Sequence, residues 1–333
     1  YIYIENELVR AIVSVGLIFL WSITRRESFM TGTEIITFLS NNLSTVMSPI
    51  NIVVGGLLTS VFLRHDTSVS EFEKIKSGQF KEVTKWLLES GNMTYVDYYQ
   101  SNNFLEIAKK ADKYYSEIHS DNSTDETKNH DFDWYVRFYQ AAGNVSDETM
   151  QNLWAKLLAG EVSKPSTYSF KTIDVLRNLS KKDAELFQRV CSCSFYNANQ
   201  IPILPRYDGY LEKYNITYSD ILTLSEQGLI FNDATIGQSV NISSEYKVLF
   251  WDTETAITIK SSDGKDTKAY IYEYPFTQVG YEISSLVSVI VSDEKYIEFA
   301  RQISNENKNY LLGVYKVIEL NGTSISLDSN NLL

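Results

Sequence analysis

Residues that could support metal binding or nucleophilic catalysis are few in this sequence and far apart. The two cysteines, Cys191 and Cys193, are separated by one residue, and no histidine lies near them to complete a tetrahedral zinc site. The three histidines, His65, His119 and His130, fall in predicted loops and form no ligand cluster. Because the two thiols of a C-x-C pair point to different sides of a helix, we expect no disulfide and predict a reducing, cytoplasmic compartment.

Paired carboxylates, which can act as general acid and base, occur at two places. Asp131 with Asp133, and Asp147 with Glu148, each fall at a predicted helix start, where capping and the helix dipole account for them without catalysis. The sequence has no phosphate-binding glycine loop of the G-x-x-x-x-G-K type, no H-E-x-x-H and no G-x-S-x-G. We therefore predict no catalytic, cofactor-binding or metal-binding residue and no cofactor. A hydrolase or nuclease with a dispersed site stays open as an alternative.

The clearest structural signal is the stretch 144–190, which predicts three short helices. The first is expected to begin at the N-cap Ser146 and to end at Gly160. Ser169 is expected to cap the second, and Ser180 with Asp183 is typical of a capping box opening the third. Apolar residues at helical spacing in the first helix indicate core packing, namely Met150, Leu153, Trp154, Leu157 and Leu158.

Two phrases in this stretch, VSDETMQNLWAKLLAGE and LRNLSKKDAELFQRV, resemble a bacterial domain family of unknown function. The resemblance is strong over residues 144–195 and looser over 71–115 and at PFTQVGYEI near residue 275. That family in turn resembles the Abi-alpha group, which is named for abortive phage infection. The resemblance implies shared ancestry and an anti-phage defence context, and it implies no catalytic residue.

Two apolar segments lie near the start of the sequence, residues 8–24 and 35–63, and we expect both to be buried away from water. The uncharged run 11–24 reaches about 21 Å as a helix, short of the roughly 30 Å hydrocarbon core, whereas 35–63 carries no charge and is long enough to span it. Two interpretations stay open: membrane-associated helices at the inner face of the cell membrane, or a helix pair buried in the soluble body of the protein or in an oligomer core. Abi-alpha-like proteins have a similar run, so the resemblance is compatible with the first interpretation.

The charge of the chain argues against a nucleic-acid partner. The formal net charge is −12, and residues 200–333 hold ten basic against eighteen acidic residues. A predicted aromatic helix face at Tyr95, Tyr98 and Tyr99 could stack nucleobases, but it lacks interleaved arginine. We therefore expect a protein partner or self-association.

The last third of the sequence combines short helices with strands. The helix 220–227 has no basic residue and is followed by strand-like runs at 246–251, 256–260 and 269–274. A turn at 262–265 is expected to join the last two runs, and Asn321-Gly322 predicts a hairpin. This order predicts an α+β protein, with a mainly helical N-terminal and central region and a C-terminal winged-helix-like α/β domain.

We predict five segments that differ in composition and expected structure. They are apolar membrane-associated or oligomerising helices (1–66), a helical region (67–118), an acidic linker (119–131), a central three- to four-helix domain (132–198) and the winged-helix-like domain (199–333). The predicted function is that of a non-enzymatic, membrane-associated or oligomeric interaction protein in anti-phage defence. The alternative is a soluble regulatory adaptor that binds proteins through the winged-helix-like domain.

Overall fold

The described part of the computed structural model divides into two compact units, with the boundary between Arg177 and Asn178. The predicted apolar segments 8–24 and 35–63 and the three histidines lie outside the described residues. Among the described helices, none combines the length and the apolarity that a bilayer crossing requires. The described residues are 81–82, 84–91, 93–118, 131–197, 201–233, 237–251, 254–289, 292–321 and 324–333.

The described part of the first unit is helical. Its core is aromatic: the Trp134 and Phe138 rings stack with centroids 5.3 Å apart, and Phe138 meets Trp154 edge-on at 5.3 Å. The predicted role of Trp154 in core packing is therefore confirmed. After the helical residues 81–82 and 84–89, its helices are α1 (Tyr95–Ile118), α2 (Phe132–Ala142), α3 (Glu148–Ser163) and α4 (Phe170–Asn178).

Both predicted ends of α3 are wrong, each for a local reason. The N-cap is Asp147, not Ser146, because the Asp147 carboxylate accepts hydrogen bonds from the backbone N–H groups of Thr149 and Met150 at 3.0 and 3.1 Å. The helix also continues past Gly160 to Ser163. The glycine is needed there for close approach, since a Cβ at Gly160 would lie 2.8 Å from the Tyr168 ring.

Other predicted caps are confirmed. Ser169 Oγ accepts from the N–H of Thr172 at the start of α4. Ser180 and Asp183 form the reciprocal capping box that opens α5 (Lys181–Ser192) in the second unit. Asp131 caps α2 through the N–H groups of Asp133 and Trp134, which confirms the structural interpretation of that acidic pair.

The second unit is built on a curled antiparallel sheet of eight strands in the order β3-β6-β2-β1-β4-β5-β7-β8. Helices precede the first strand and lie between later ones. After α5 come β1 (Phe195–Asn197), β2 (Pro202–Pro205), α6 (Asp208–Lys213), α7 (Tyr218–Glu226), β3 (Gly237–Ile242), β4 (Lys247–Trp251), β5 (Thr255–Ser261), β6 (Thr267–Pro275), α8 (Gln278–Ser284), α9 (Asp293–Glu306), β7 (Tyr310–Asn321) and β8 (Ser324–Leu327).

The winged-helix-like prediction is wrong, although the α+β class is right. The predicted turn does form, with Gly264 at φ +74° and the N–H of Lys265 donating to Asp263 at 3.0 Å. The two strands that flank this turn do not pair with each other, however. β5 pairs with β4 and β7, and β6 pairs with β2 and β3. The hairpin β7–β8 is therefore the end of a large sheet rather than a wing.

One side of this sheet, here called the inner side, packs against α9. The Phe195 ring of β1 stacks on Phe299 of α9 with centroids 5.0 Å apart, and Phe250 of β4 meets the same ring at 5.5 Å. All three side chains are buried. The opposite, outer side is defined by the alternate residues of each strand, because successive side chains of a strand point to opposite faces.

Candidate functional site

Strand β6 carries the sequence Lys268 to Tyr274, KAYIYEY, whose side chains alternate between the two sides of the sheet. Phe195 pairs with Ile203 and Ile203 pairs with Pro275, so Pro275 lies on the inner side. Glu273 is two residues from Pro275 and therefore faces inward as well. The tyrosines at 270, 272 and 274 lie on the outer side.

The outer side of β6 presents aromatic rings to solvent. Tyr270 is 56% exposed and Tyr272 is 49% exposed. Side chains two residues apart on one side of a strand are separated by about 6.7 Å. Lys268 is exposed at one end of the row, and Arg206, just after β2, lies at the other. We call Lys268, Tyr270, Tyr272, Tyr274 and Arg206 the tyrosine face.

The guanidinium group of Arg206 contacts tyrosine rings and no carboxylate among the described residues. Its guanidinium carbon lies 5.1 Å from the centroid of the Tyr272 ring and 5.8 Å from that of Tyr274, both within cation–π range. Among the described residues, none accepts a hydrogen bond from this guanidinium or forms an ion pair with it. Burial raises the pKa of Tyr274, while the charge of Arg206 opposes this shift and that of Asp208 adds to it. The guanidinium donors are thus available to an anion.

The inner side of β6 holds a buried carboxyl group. Glu273 is 5% exposed, and its Oε2 has no hydrogen-bond partner among the described residues. Gln238 of β3 pairs with Ile271, which puts it on the same side and diagonal to Glu273, and its buried Oε1 also lacks a described partner. Burial raises the pKa of Glu273 to about 7. The carboxyl group therefore titrates near neutral pH.

Strand β3 is one edge of the sheet. Within the described chain it pairs only with β6, over the whole register from Gly237 to Ile242 and without a bulge. Its sequence GQSVNI contains no charge and no proline. The N–H of Ser261 donates to the carbonyl of Ser243 at 2.8 Å and closes the corner just beyond the strand. In the described ranges, no strand pairs with the rest of this edge.

A second buried carboxylate, Glu161 of α3, has a structural role. Its two oxygens accept from the backbone N–H groups of Ser166, Thr167 and Tyr168 at 2.6, 3.1 and 3.0 Å. Burial raises the pKa of Glu161 and these hydrogen bonds oppose the shift. The carboxylate holds the turn after α3, where Ser166 has a φ of +64°. No motif in the sequence predicts this role of Glu161.

Among the candidate chemical groups of the sequence that the structure describes, none lies in a reactive cluster. Cys191 and Cys193 are free and buried, as expected of reduced structural thiols. Burial raises the pKa of both thiols, that of Cys193 to about 12, and the nearby Lys295 opposes the shift. In the described ranges, no group of three His, Cys, Asp or Glu side chains could hold a metal ion. Asp147 caps a helix, as noted above.

The fold and these surfaces define an α+β protein in which a helical unit precedes a curled antiparallel sheet. Residues 95–301 match the family described as "Protein of unknown function (DUF2806)", and the chain belongs to that family. The match includes the stretch 144–195, so the predicted resemblance to a domain of unknown function is confirmed; it provides no link to the Abi-alpha group or to phage defence. Comparisons with curated proteins and with solved structures gave no match.

Proposed function

We propose that this chain is a non-enzymatic interaction protein that assembles by pairing its edge strand β3 with the same strand of a second copy. The observation that supports the proposal concerns the outer edge of β3. Within the described part of the chain, this edge is unpaired and regular over six residues, and it has no charge, proline or bulge. Natural edge strands usually carry such features because an unprotected edge recruits other strands. An edge that lacks them is suited to strand addition.

A second copy fits this edge better than an unrelated strand would. Antiparallel pairing of β3 with itself about a two-fold axis is self-complementary, and homodimers of this symmetry are the commonest oligomers. The chain has a net charge of −12, which opposes association in general. The outward residues of β3, Gly237, Ser239 and Asn241, are uncharged, so pairing at this edge would bring no like charges together.

Cysteine cross-linking tests this arrangement in the full chain. The variants Gly237→Cys, Ser239→Cys and Asn241→Cys place a thiol along β3, and the two native cysteines are buried. Residues directly opposite each other in an antiparallel pair have Cα atoms about 4.5–5.5 Å apart, within disulfide range. We expect mild oxidation to link the copies covalently at the position nearest the two-fold axis and less at the others.

Ser326→Cys on β8, the opposite edge strand, is the matched control. Its thiol is exposed but lies outside the proposed interface. Equal cross-linking at all four positions would indicate random collision, and no cross-linking at any β3 position would contradict the proposal. Because the readout depends on position along β3, association through the N-terminal apolar segments would not imitate it.

Two finer hypotheses accompany this proposal and rest on the sequence. The first is that segments 8–24 and 35–63 anchor or oligomerise the protein; recovery of the protein only in the soluble fraction of broken cells, as a monomer, would rule it out. The second is a role in abortive phage infection, which rests on the resemblance to the Abi-alpha group. Equal phage plating on cells with and without the intact gene would count against it.

A further inference from the structure

We propose that the tyrosine face binds single-stranded nucleic acid. Two nucleobases would stack on Tyr270 and Tyr272, and Lys268 and Arg206 would contact the flanking phosphates. This inference is independent of pairing at β3, because the face lies on the outer side of the sheet and not along its edge.

The two exposed tyrosines of this face have a spacing that suits base stacking. Tyr270 and Tyr272 are both about half exposed and lie on the same side of one strand, at a spacing of about 6.7 Å. Aromatic rings displayed in this way on an antiparallel sheet stack two or three unpaired bases in RNA-binding sheets. The order of a basic residue followed by aromatic residues two and four positions on, here Lys268, Tyr270 and Tyr272, is also the pattern of the RNA-contacting strand in such sheets.

The tyrosine face carries a positive charge at each end of its row of rings. Arg206 stacks on the Tyr272 and Tyr274 rings and forms no ion pair among the described residues. Lys268, at the other end of the row, likewise has no ion pair there. The residues of β3 that lie beside this row on the outer side are uncharged. A cation at each end of an aromatic row matches a ligand that has planar rings and a phosphate on either side of them.

The acidity of the whole chain limits the size of the ligand rather than excluding it. A net charge of −12 opposes long-range attraction of a polynucleotide. The summed charge of the sequence disfavours a polynucleotide, and the tyrosines near residue 95 lack an interleaved arginine. The tyrosine face does have its arginine, supplied by another strand. Binding should therefore involve about two phosphates, with log Kd changing by about 1.4 per tenfold change in salt concentration.

Fluorescence anisotropy of the full chain with two fluorescein-labelled probes, an eight-nucleotide oligouridine RNA and an eight-nucleotide oligothymidine DNA, tests the proposal. We expect saturable binding of at least one probe. Tyr270→Ala and Tyr272→Ala should each weaken it by about five- to a hundredfold, the range measured for loss of one base–aromatic stack. Tyr246→Ala is the matched control, because this tyrosine is 46% exposed in the same unit but lies off the face. It should leave the affinity unchanged.

Arg206→Gln should weaken binding and reduce the salt dependence by about half, since one of two phosphate contacts is lost. Equal urea midpoints for Tyr270→Ala and Tyr246→Ala would show that the binding loss is not unfolding. Absence of saturable binding to both probes, or binding that neither Tyr270→Ala nor Tyr272→Ala weakens, would overturn the proposal. Tyrosine-dependent binding of a proline-rich peptide with no binding of either oligonucleotide would overturn it equally.

Discussion

The change Glu273→Gln should remove a pH dependence from the stability of the second unit. Glu273 is buried on the inner side of β6, and burial raises its pKa from the ordinary value of 4.5 to about 7. Below about pH 4.5 the carboxyl group is protonated in both the folded and the unfolded chain. As the pH rises further, the unfolded chain loses this proton while the folded chain keeps it, so the folded state becomes less stable.

The size of the effect follows from the two pKa values. One pKa unit corresponds to about 1.4 kcal/mol, so the wild-type protein should lose about 3 kcal/mol of unfolding free energy through this group between about pH 4.5 and pH 7. Above pH 7 both states are ionised and the contribution becomes constant. Glutamine has nearly the same shape and stays neutral, so the variant should show no such loss and should be the more stable protein at about pH 8.

Urea denaturation at several pH values between about 4.5 and 8 measures this difference. Cys191 and Cys193 report on the second unit alone, because they are the only cysteines of the chain and both are buried there. Their reaction with 4,4′-dithiodipyridine, which labels thiols over this pH range, gives the fraction of unfolded second unit at each urea concentration. Comparison of Glu273→Gln with wild type at the same pH cancels the contributions of other titrating groups.

Glu245→Gln is the matched control, because it removes an exposed carboxylate from the same unit. It should leave the pH profile of the wild type unchanged. A difference between Glu273→Gln and wild type that stays constant from pH 4.5 to pH 8 would refute the reasoning, because it would mean that Glu273 has the same pKa in the folded and the unfolded chain.

Three further predictions concern stability and can be measured by thermal or urea denaturation. Gly280→Ala should destabilise the second unit by at least about 2 kcal/mol, because the new Cβ would overlap the backbone carbonyl of Leu229, and unchanged stability would contradict this packing. Gly160→Ala should lower the stability of the first unit by about 1–2 kcal/mol through contact with the Tyr168 ring, although alanine favours a helix; a more stable variant would refute that contact. Thr217→Ala should cost about 1 kcal/mol by removing the capping box of α7, whereas Thr217→Ser should cost little.

Local features of the fold were predictable because they depend on neighbouring residues. Caps such as Ser169 and the Ser180–Asp183 pair act within one turn, and the alternation of residues 269–274 indicates a strand directly. The sheet was not predictable in the same way. Strands β5 and β6 flank the same turn, yet each pairs with strands that are distant in sequence. A turn signal fixes the local chain direction but not the pairing partner of the strand that follows.

In the candidate sites, too, the local features were predictable from the sequence and the long-range contacts were not. The row of tyrosines on one side of a strand could be read from their spacing of two, whereas Arg206 joins it through the pairing of β2 with β6. The isolated Glu273 between tyrosines is a charge within a predicted strand, but the side of the strand that is buried depends on the packing of the whole sheet. The local sequence predicts a helix end at Gly160, whereas the contact that requires a glycine there comes from the Tyr168 ring, which lies beyond the helix.

Backbone hydrogen exchange measures whether the edge of β3 accepts a second copy of the chain. Mass spectrometry of the full chain can compare exchange of peptides covering Gly237–Ile242 at low and high protein concentration. We expect slower exchange at high concentration in the wild type, and no such change in Ser239→Lys, which brings like charges together at the edge. Exchange in β3 that is independent of concentration in the wild type would show that the strand does not pair with a second copy.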